Sequence, residues 1–235
     1  MLVIMAAVFV MLPLPVIGVS RGVDLMQHLQ FAATYRDAFL SGDLFPGWAA
    51  ADNSGYGSIG IRFYPPVAYY LMALTNIISN DWFISLWTNA IVWSLLGSVG
   101  MYLWSRESLP RFESAVAAVI FSFAPYHRFQ IYHLILFAEF AAMGVLPFCF
   151  YALSRLIRET SPRNVIVFGL CYATLILTHI PTTIVGSIGL GVYGVFLIRK
   201  NDNVRTIAGI GGGLIIGLLA SSFHWLRLVS ELNLL

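Results

Sequence analysis

Residues 64–79, YPPVAYYLMALTNIIS, decide how this chain is threaded through its solvent. A helix needs about 20 mostly apolar residues to cross a bilayer. This run is shorter, opens on Pro65 and Pro66, turns polar at Thr75 and Asn76, and carries Tyr64, Tyr69 and Tyr70. It reads as an interfacial or half-inserted helix. The solvent itself follows from composition. Hydrophobic residues make up 59% of the chain and charged residues 10%, against about 25% charged in a soluble domain. A soluble core of this size cannot hide so much apolar surface, so the excess faces lipid. The formal net charge of +2 is too small and too scattered for a nucleic-acid surface.

Working outward from 64–79, the other apolar runs are 2–19, 83–104, 114–125, 134–154, 164–179, 182–198 and 206–223. Short cytoplasmic loops collect Lys and Arg, and three loops here are basic. Loop 105–113 holds Arg106 and Arg111, loop 155–163 holds Arg155, Arg158 and Arg163, and loop 199–205 holds Arg199, Lys200 and Arg205. If 114–125 fails to cross, the three loops share a side with the acidic segment 20–63. If 64–79 fails instead, the basic loops stay together and 20–63 lies across the membrane from them. The second solution separates charge better. It predicts an all-α polytopic bundle of about seven spans, N-terminus inside, with 20–82 as a large outer segment in a single domain over 1–235. The opening run lacks a basic n-region and a small-residue cleavage site, so it is read as an uncleaved span. Cys149 and Cys171 lie inside apolar runs and read as small core residues.

This threading places His28, His127, His133, His179 and His224, with Asp24, Arg62, Arg128 and Glu139, at the outer ends of spans or in outer loops. Ionisable groups near hydrocarbon are costly and face protein or a water-filled cavity. A single polar pocket on the outer face is one reading; the other is that loops are simply where polar residues live. Residues 23–40 read as an amphipathic surface helix with Asp24, His28 and Tyr35 on one face. Asp24 sits in its first turn, where it either completes the helix start, with His28 bonded to it, or faces a site. Beyond Gly42, the stretch DNSGYGSIGIRFYPP (52–66) reads as a loop whose glycines allow close backbone approach.

These residues resemble a family. G-x-D-x-x-x-H (22–28), Y-R-x-x-x-x-x-G-D-L-x-P-x-W (35–48), G-Y-G (55–57), F-Y-P-P-x-x-Y-Y-L (63–71), APYHRFQIYHLILFAE (124–139) and LTHIPT (177–182) are similar to membrane proteins named for a 6-pyruvoyl-tetrahydropterin synthase-related domain. Those belong with the GT-C superfamily of polytopic glycosyltransferases. The resemblance implies a GT-C-like fold, an essential acidic residue in the first outer loop (Asp24 here), juxtamembrane helices including 64–79, and sugar donors carried on polyprenyl phosphate. Such enzymes usually have more spans, so the chain ending in SELNLL is expected to be a truncated product or a fragment.

Glycosyl transfer from a lipid phosphate needs a base for the acceptor hydroxyl, positive charge for the departing phosphate and lateral access for lipid. Asp24 is the candidate base. Arg62 and Arg128 are candidate phosphate clamps, because guanidinium offers paired donors to phosphate oxygens. His28, His127, His133 and His179, with Tyr64 and Glu139, complete the candidate substrate-binding set. Asp24 with Glu139 is also a candidate pair for a divalent cation. Structural alternatives stand beside each role: Arg128 as a head-group anchor or partner of Glu139, His179 as part of a helix break before Pro181, His224 as an interfacial anchor. Gly209, Gly213, Gly217 and Ser221 form a small-residue ridge suited to close helix packing, within the protein or between copies. The expected location is a prokaryotic plasma membrane with the active site on the outer face and membrane lipids as partners. A transporter or flippase is the rival class, but no internal repeat is found and the polar groups gather at one edge rather than at mid-membrane. A non-catalytic fragment of a larger membrane protein is the third reading.

Overall fold

A computed structural model describes residues 1–20, 22–198 and 204–231. Arg199 and Lys200 of the third basic loop, and the last four residues of the terminal SELNLL, lie outside the described residues. The first apolar run forms α1 (Leu2–Phe9) and α2 (Pro13–Ile17). They are separate helices because Pro13 and Pro15 have no N–H to continue the ladder of α1. The outer segment holds α3 (Leu25–Leu40), two 3₁₀ turns at Asn53–Gly55 and Gly60–Arg62, and α4 (Val67–Ser79), which starts directly after the proline pair. Next comes α5 (Trp82–Ser105), capped by Asp81, whose side chain accepts from the N–H groups of Phe83 and Ile84. It is followed by α6 (Arg111–Ser122), α7 (Pro125–Phe129) with a π-helical turn at Gln130–Leu134, and α8 (Phe137–Arg158). The remaining helices are α9 (Pro162–Ile176), α10 (Ile180–Leu197), α11 (Val204–Ala220) and α12 (Ser222–Ser230). Every apolar run of the sequence is helical, and no strand pairs among the described residues beyond one isolated bridge, Ala49–Ser58.

The long helix α8 is the axis. α5 lies parallel to it, and glycines let the backbones touch: a Cβ on Gly97 would stand 3.2 Å from Gly144 Cα, and one on Gly144 2.8 Å from the Trp93 carbonyl. α6 returns beside α5, with the hydroxyls of Ser98 and Ser122 2.7 Å apart. α11 seats its glycine ridge on α9, where a Cβ on Gly217 would stand 3.0 Å from the Gly169 carbonyl. The small-residue ridge therefore packs within the molecule.

Two polar ends result, separated by the length of α8, about 33 Å for 22 residues. At one end Arg158 pairs with Glu107 at 2.8 Å, joining two of the basic loops, and the hydroxyls of Thr160 and Thr206 lie 3.1 Å apart. The starts of α3, α4, α8 and α10 meet at the other. By length and apolarity three helices can cross a membrane, α5, α8 and α10, or four if the bent pair α11–α12 counts as one span. α1–α2, α4 and α9 are shorter apolar helices.

Candidate functional site

The polar end is built by backbone bonds that tie helix starts together. The N–H of Asp24 reaches the Leu134 carbonyl at 3.4 Å, and the N–H of Val67 donates to the Leu177 carbonyl at 2.9 Å. Gly22 has no room for a side chain, since a Cβ would collide with Leu134 and Ile135. The turn at 134–136 is unusual. Ile135 has φ +58°, a conformation that β-branched residues rarely adopt, and its side chain is fully buried. This left-handed residue ends the π-helical turn and redirects the chain into α8.

His28 locks the arrangement. Its Nε2 shares the Phe137 N–H at 3.2 Å with the Ile135 carbonyl, and its Nδ1 lies 2.7 Å from the Tyr69 hydroxyl. Since Nε2 accepts, Nδ1 carries the proton and donates to Tyr69. Burial, with a smaller contribution from His179, pushes the His28 pKa down to about 4, so the ring is neutral at pH 7. Tyr64 stands edge-on to His28 at 6.5 Å between ring centroids. Burial and the nearby charge of Asp24 raise its pKa.

Asp24 occupies the N-cap position of α3, yet its side chain makes no capping bond and is half-buried. Asp81 and Ser161, at the starts of α5 and α9, do cap their helices. On another helix, Glu139 in the first turn of α8 accepts from the Tyr126 hydroxyl at 2.5 Å. That bond raises the Tyr126 pKa. The charge of Glu139 also reaches His179, opposing the burial that lowers the His179 pKa. His179 itself caps α10, its Nδ1 accepting from the Thr182 N–H at 3.3 Å. Charge links Asp24 to Tyr64, His179 to His28 and Glu139 to His179, and the Tyr64 ring meets His28, so the five form one linked group where four helices begin.

The other candidates lie elsewhere. Arg128 and His133, both exposed, line a cavity of about 690 Å³ whose walls include Ile17, Val19, Phe129 and Tyr132. Asp24 and Glu139 do not line it. The residues expected in a single outer pocket fall instead into two groups, the cluster at the helix starts and the cavity lined by Arg128 and His133, joined where the Asp24 N–H reaches the Leu134 carbonyl. His127 points inward: it is buried, its Nδ1 lies 2.9 Å from the Phe121 carbonyl, and its ring packs edge-on against Phe121. This corrects its placement in the outer pocket. Arg62 donates to both carboxylate oxygens of Glu231 at 3.1 and 3.2 Å and to the Gly47 carbonyl at 2.6 Å, in a different cavity. His224, expected at the interface, is buried. Tyr69, which the sequence shows only as one of several outer aromatics, is the central partner of His28. Its only signal is its place in the F-Y-P-P-x-x-Y-Y-L stretch, because contacts 41 residues apart leave no local trace.

Among the described residues no three His, Cys, Asp or Glu side chains stand close enough to hold a metal ion. A family model described as 6-pyruvoyl-tetrahydropterin synthase related domain, membrane protein, matches residues 61–231. No curated protein and no solved structure matches the chain.

Proposed function

The chain belongs to the 6-pyruvoyl-tetrahydropterin synthase related family of membrane proteins, and from that premise we propose that it is an inverting GT-C-like glycosyltransferase. In this reading all seven helical passes (α1–α2, α5, α6, α8, α9, α10 and α11) cross the membrane, and the His28 end faces outward from a prokaryotic plasma membrane. The observation that carries the proposal is the unspent N-cap. Asp24 is fixed at the start of α3, among four helix starts whose dipoles favour negative charge, and its carboxylate serves no capping role. A structural carboxylate at that position would cap, as Asp81 does.

The chemistry assigns Asp24 as general base. It takes the proton of an acceptor hydroxyl as that oxygen bonds to the sugar C1, while the C1–O bond to the donor phosphate breaks and its electron pair leaves on the phosphate. Arg128 and His133 line the neighbouring cavity; in this reading their positive charge takes the leaving phosphate there, and the donor sugar reaches past the 134–136 turn to Asp24. The apolar walls around them suit a polyprenyl chain entering from lipid. His28 and Tyr69 are positioning residues that hold the start of α3 against α8. Tyr64 and His179 flank the acceptor, and Glu139 with Tyr126 offers it hydrogen bonds.

The test is to incubate membranes containing the full chain with radiolabelled polyprenyl-phosphate sugars. Asp24→Asn is expected to lower transfer at least about a hundredfold, the usual range for a lost general base. Turnover unchanged in Asp24→Asn removes Asp24 as the base, and no transfer by wild type from any such donor removes the reaction.

A further inference from the structure

The second cavity, about 270 Å³, lies between the outer segment and α12. Its lining includes Arg62, Arg227 and His224, with Tyr35, Phe45 and Phe223 as apolar walls. α12 reaches it because the chain bends by 68° at Ser221. Gly47 lets the two guanidiniums converge: a Cβ there would collide with Arg227 Nη2 and stand 3.3 Å from Arg62 Nε. Two cations brought this close repel unless an anion joins them.

One anion is already present. Glu231 takes two hydrogen bonds from Arg62 and lies 3.6 Å from Arg227 Nε, an ion pair too long for a hydrogen bond. Arg62 also spends Nε on the Gly47 carbonyl. Arg227 makes no side-chain hydrogen bond among the described residues, although its side chain is only 30% exposed. The balance across Arg62, Arg227 and Glu231 is one positive charge. Asp43 does not line the cavity; it is exposed and accepts from the Phe45 N–H of its own loop. His224 adds an independent sign of a missing ligand. It is 7% exposed, it lines the cavity, and its buried Nε2 has no partner among the described residues. An orphaned buried nitrogen costs about 1–3 kcal/mol.

We infer that the Arg62–Arg227–His224 cavity is a binding site for a phosphoester anion with an apolar body, and that the Glu231 carboxylate partly occupies the ligand's place. A phosphate oxygen pair meets the free fork of Arg227, a third oxygen accepts from His224 Nε2, and acyl or alkyl groups lie on Phe45 and Phe223. The inference does not rest on the transfer reaction: the site lies apart from Asp24 and uses none of the cluster.

Titration calorimetry of the full chain in maltoside micelles tests it, with three probes: dihexanoyl-phosphatidylglycerol, dihexanoyl-phosphatidylcholine and inorganic phosphate. Phosphatidylglycerol is expected to bind more tightly than phosphatidylcholine. Arg227→Gln is expected to weaken binding about tenfold or more, as for one or two charge-assisted hydrogen bonds, with Arg227→Lys recovering part of the loss. Glu231→Gln, which removes the competing carboxylate, is expected to tighten binding, a gain that misfolding cannot imitate. Inorganic phosphate binding with the same Arg227 dependence would mark the phosphoryl group as the whole determinant; binding of the lipid alone would assign a lipid headgroup. Asp24→Asn is expected to bind as wild type does. Absence of binding by both wild type and Glu231→Gln, or equal binding by wild type and Arg227→Gln, overturns the site.

Discussion

His28 has both ring nitrogens engaged inside the protein, and only the neutral ring can accept from Phe137 while donating to Tyr69. The consequence is a stability that depends on pH. In the unfolded chain His28 takes a proton near pH 6.5, but in the fold only near pH 4. Between those values the unfolded state binds more protons, so this contribution is complete above about pH 6.5 and is lost as pH falls towards 4. Its full size is about 3 kcal/mol at 1.36 kcal/mol per pKa unit. Unfolding followed in micelles from pH 7 to pH 4 should show this loss, with a shallower slope in His28→Gln; equal slopes would mean that His28 titrates normally. The same residue shows what sequence could and could not give. Its helix and its face were legible from the spacing of Asp24, His28 and Tyr35. Its partners were not, because Tyr69 and Phe137 lie on other helices, and the bond to Asp24 that one of the two readings allowed does not form. Likewise Arg62 was legible as an outer-segment cation, but its partner Glu231, 169 residues away, was not.

At the scale of elements, hydrophobic runs located helices well and helix ends poorly. The run expected to start at Leu134 begins its helix at Phe137, because Ile135 adopts a left-handed conformation that no apolar count reveals. The run expected to continue to Phe223 bends at Ser221 and carries His224 into a cavity rather than to an interface. The glycine ridge was the most legible element. Its spacing pointed to close packing, and the fold supplies α9 as the surface it meets. Gly213→Val is therefore expected to cost about 1–3 kcal/mol or more through overpacking, since a Cβ there already crowds Phe168 and stands 3.3 Å from the Val165 carbonyl. Gly211→Ala, where a Cβ meets nothing within 4 Å, is expected to be neutral or stabilising by up to about 1 kcal/mol. Melting temperatures of the two variants in detergent decide this, and a Gly213→Val protein as stable as wild type would refute the packing role.

For the whole molecule, charge pattern led to an arrangement in which the basic loops share one end and the histidine-rich turns the other. The contacts Arg158–Glu107 and Thr160–Thr206 at one end, and Val67–Leu177 at the other, have the same division. In the proposed orientation, Cys introduced at Ser161 is shielded from impermeant thiol reagents in intact cells, whereas Cys at Tyr56, an exposed outer-loop position, is labelled. The opposite pattern inverts the orientation, and labelling of both positions breaks the threading. α8 also has an electrical meaning. In the proposed orientation it is a mast with Arg155 at its foot and Glu139 at its head, so a cell whose interior is negative pulls on both ends in the direction that keeps the protein upright. Each elementary charge carried across 100 mV is worth about 2.3 kcal/mol, and an energised membrane would thereby act as a standing guard against inversion.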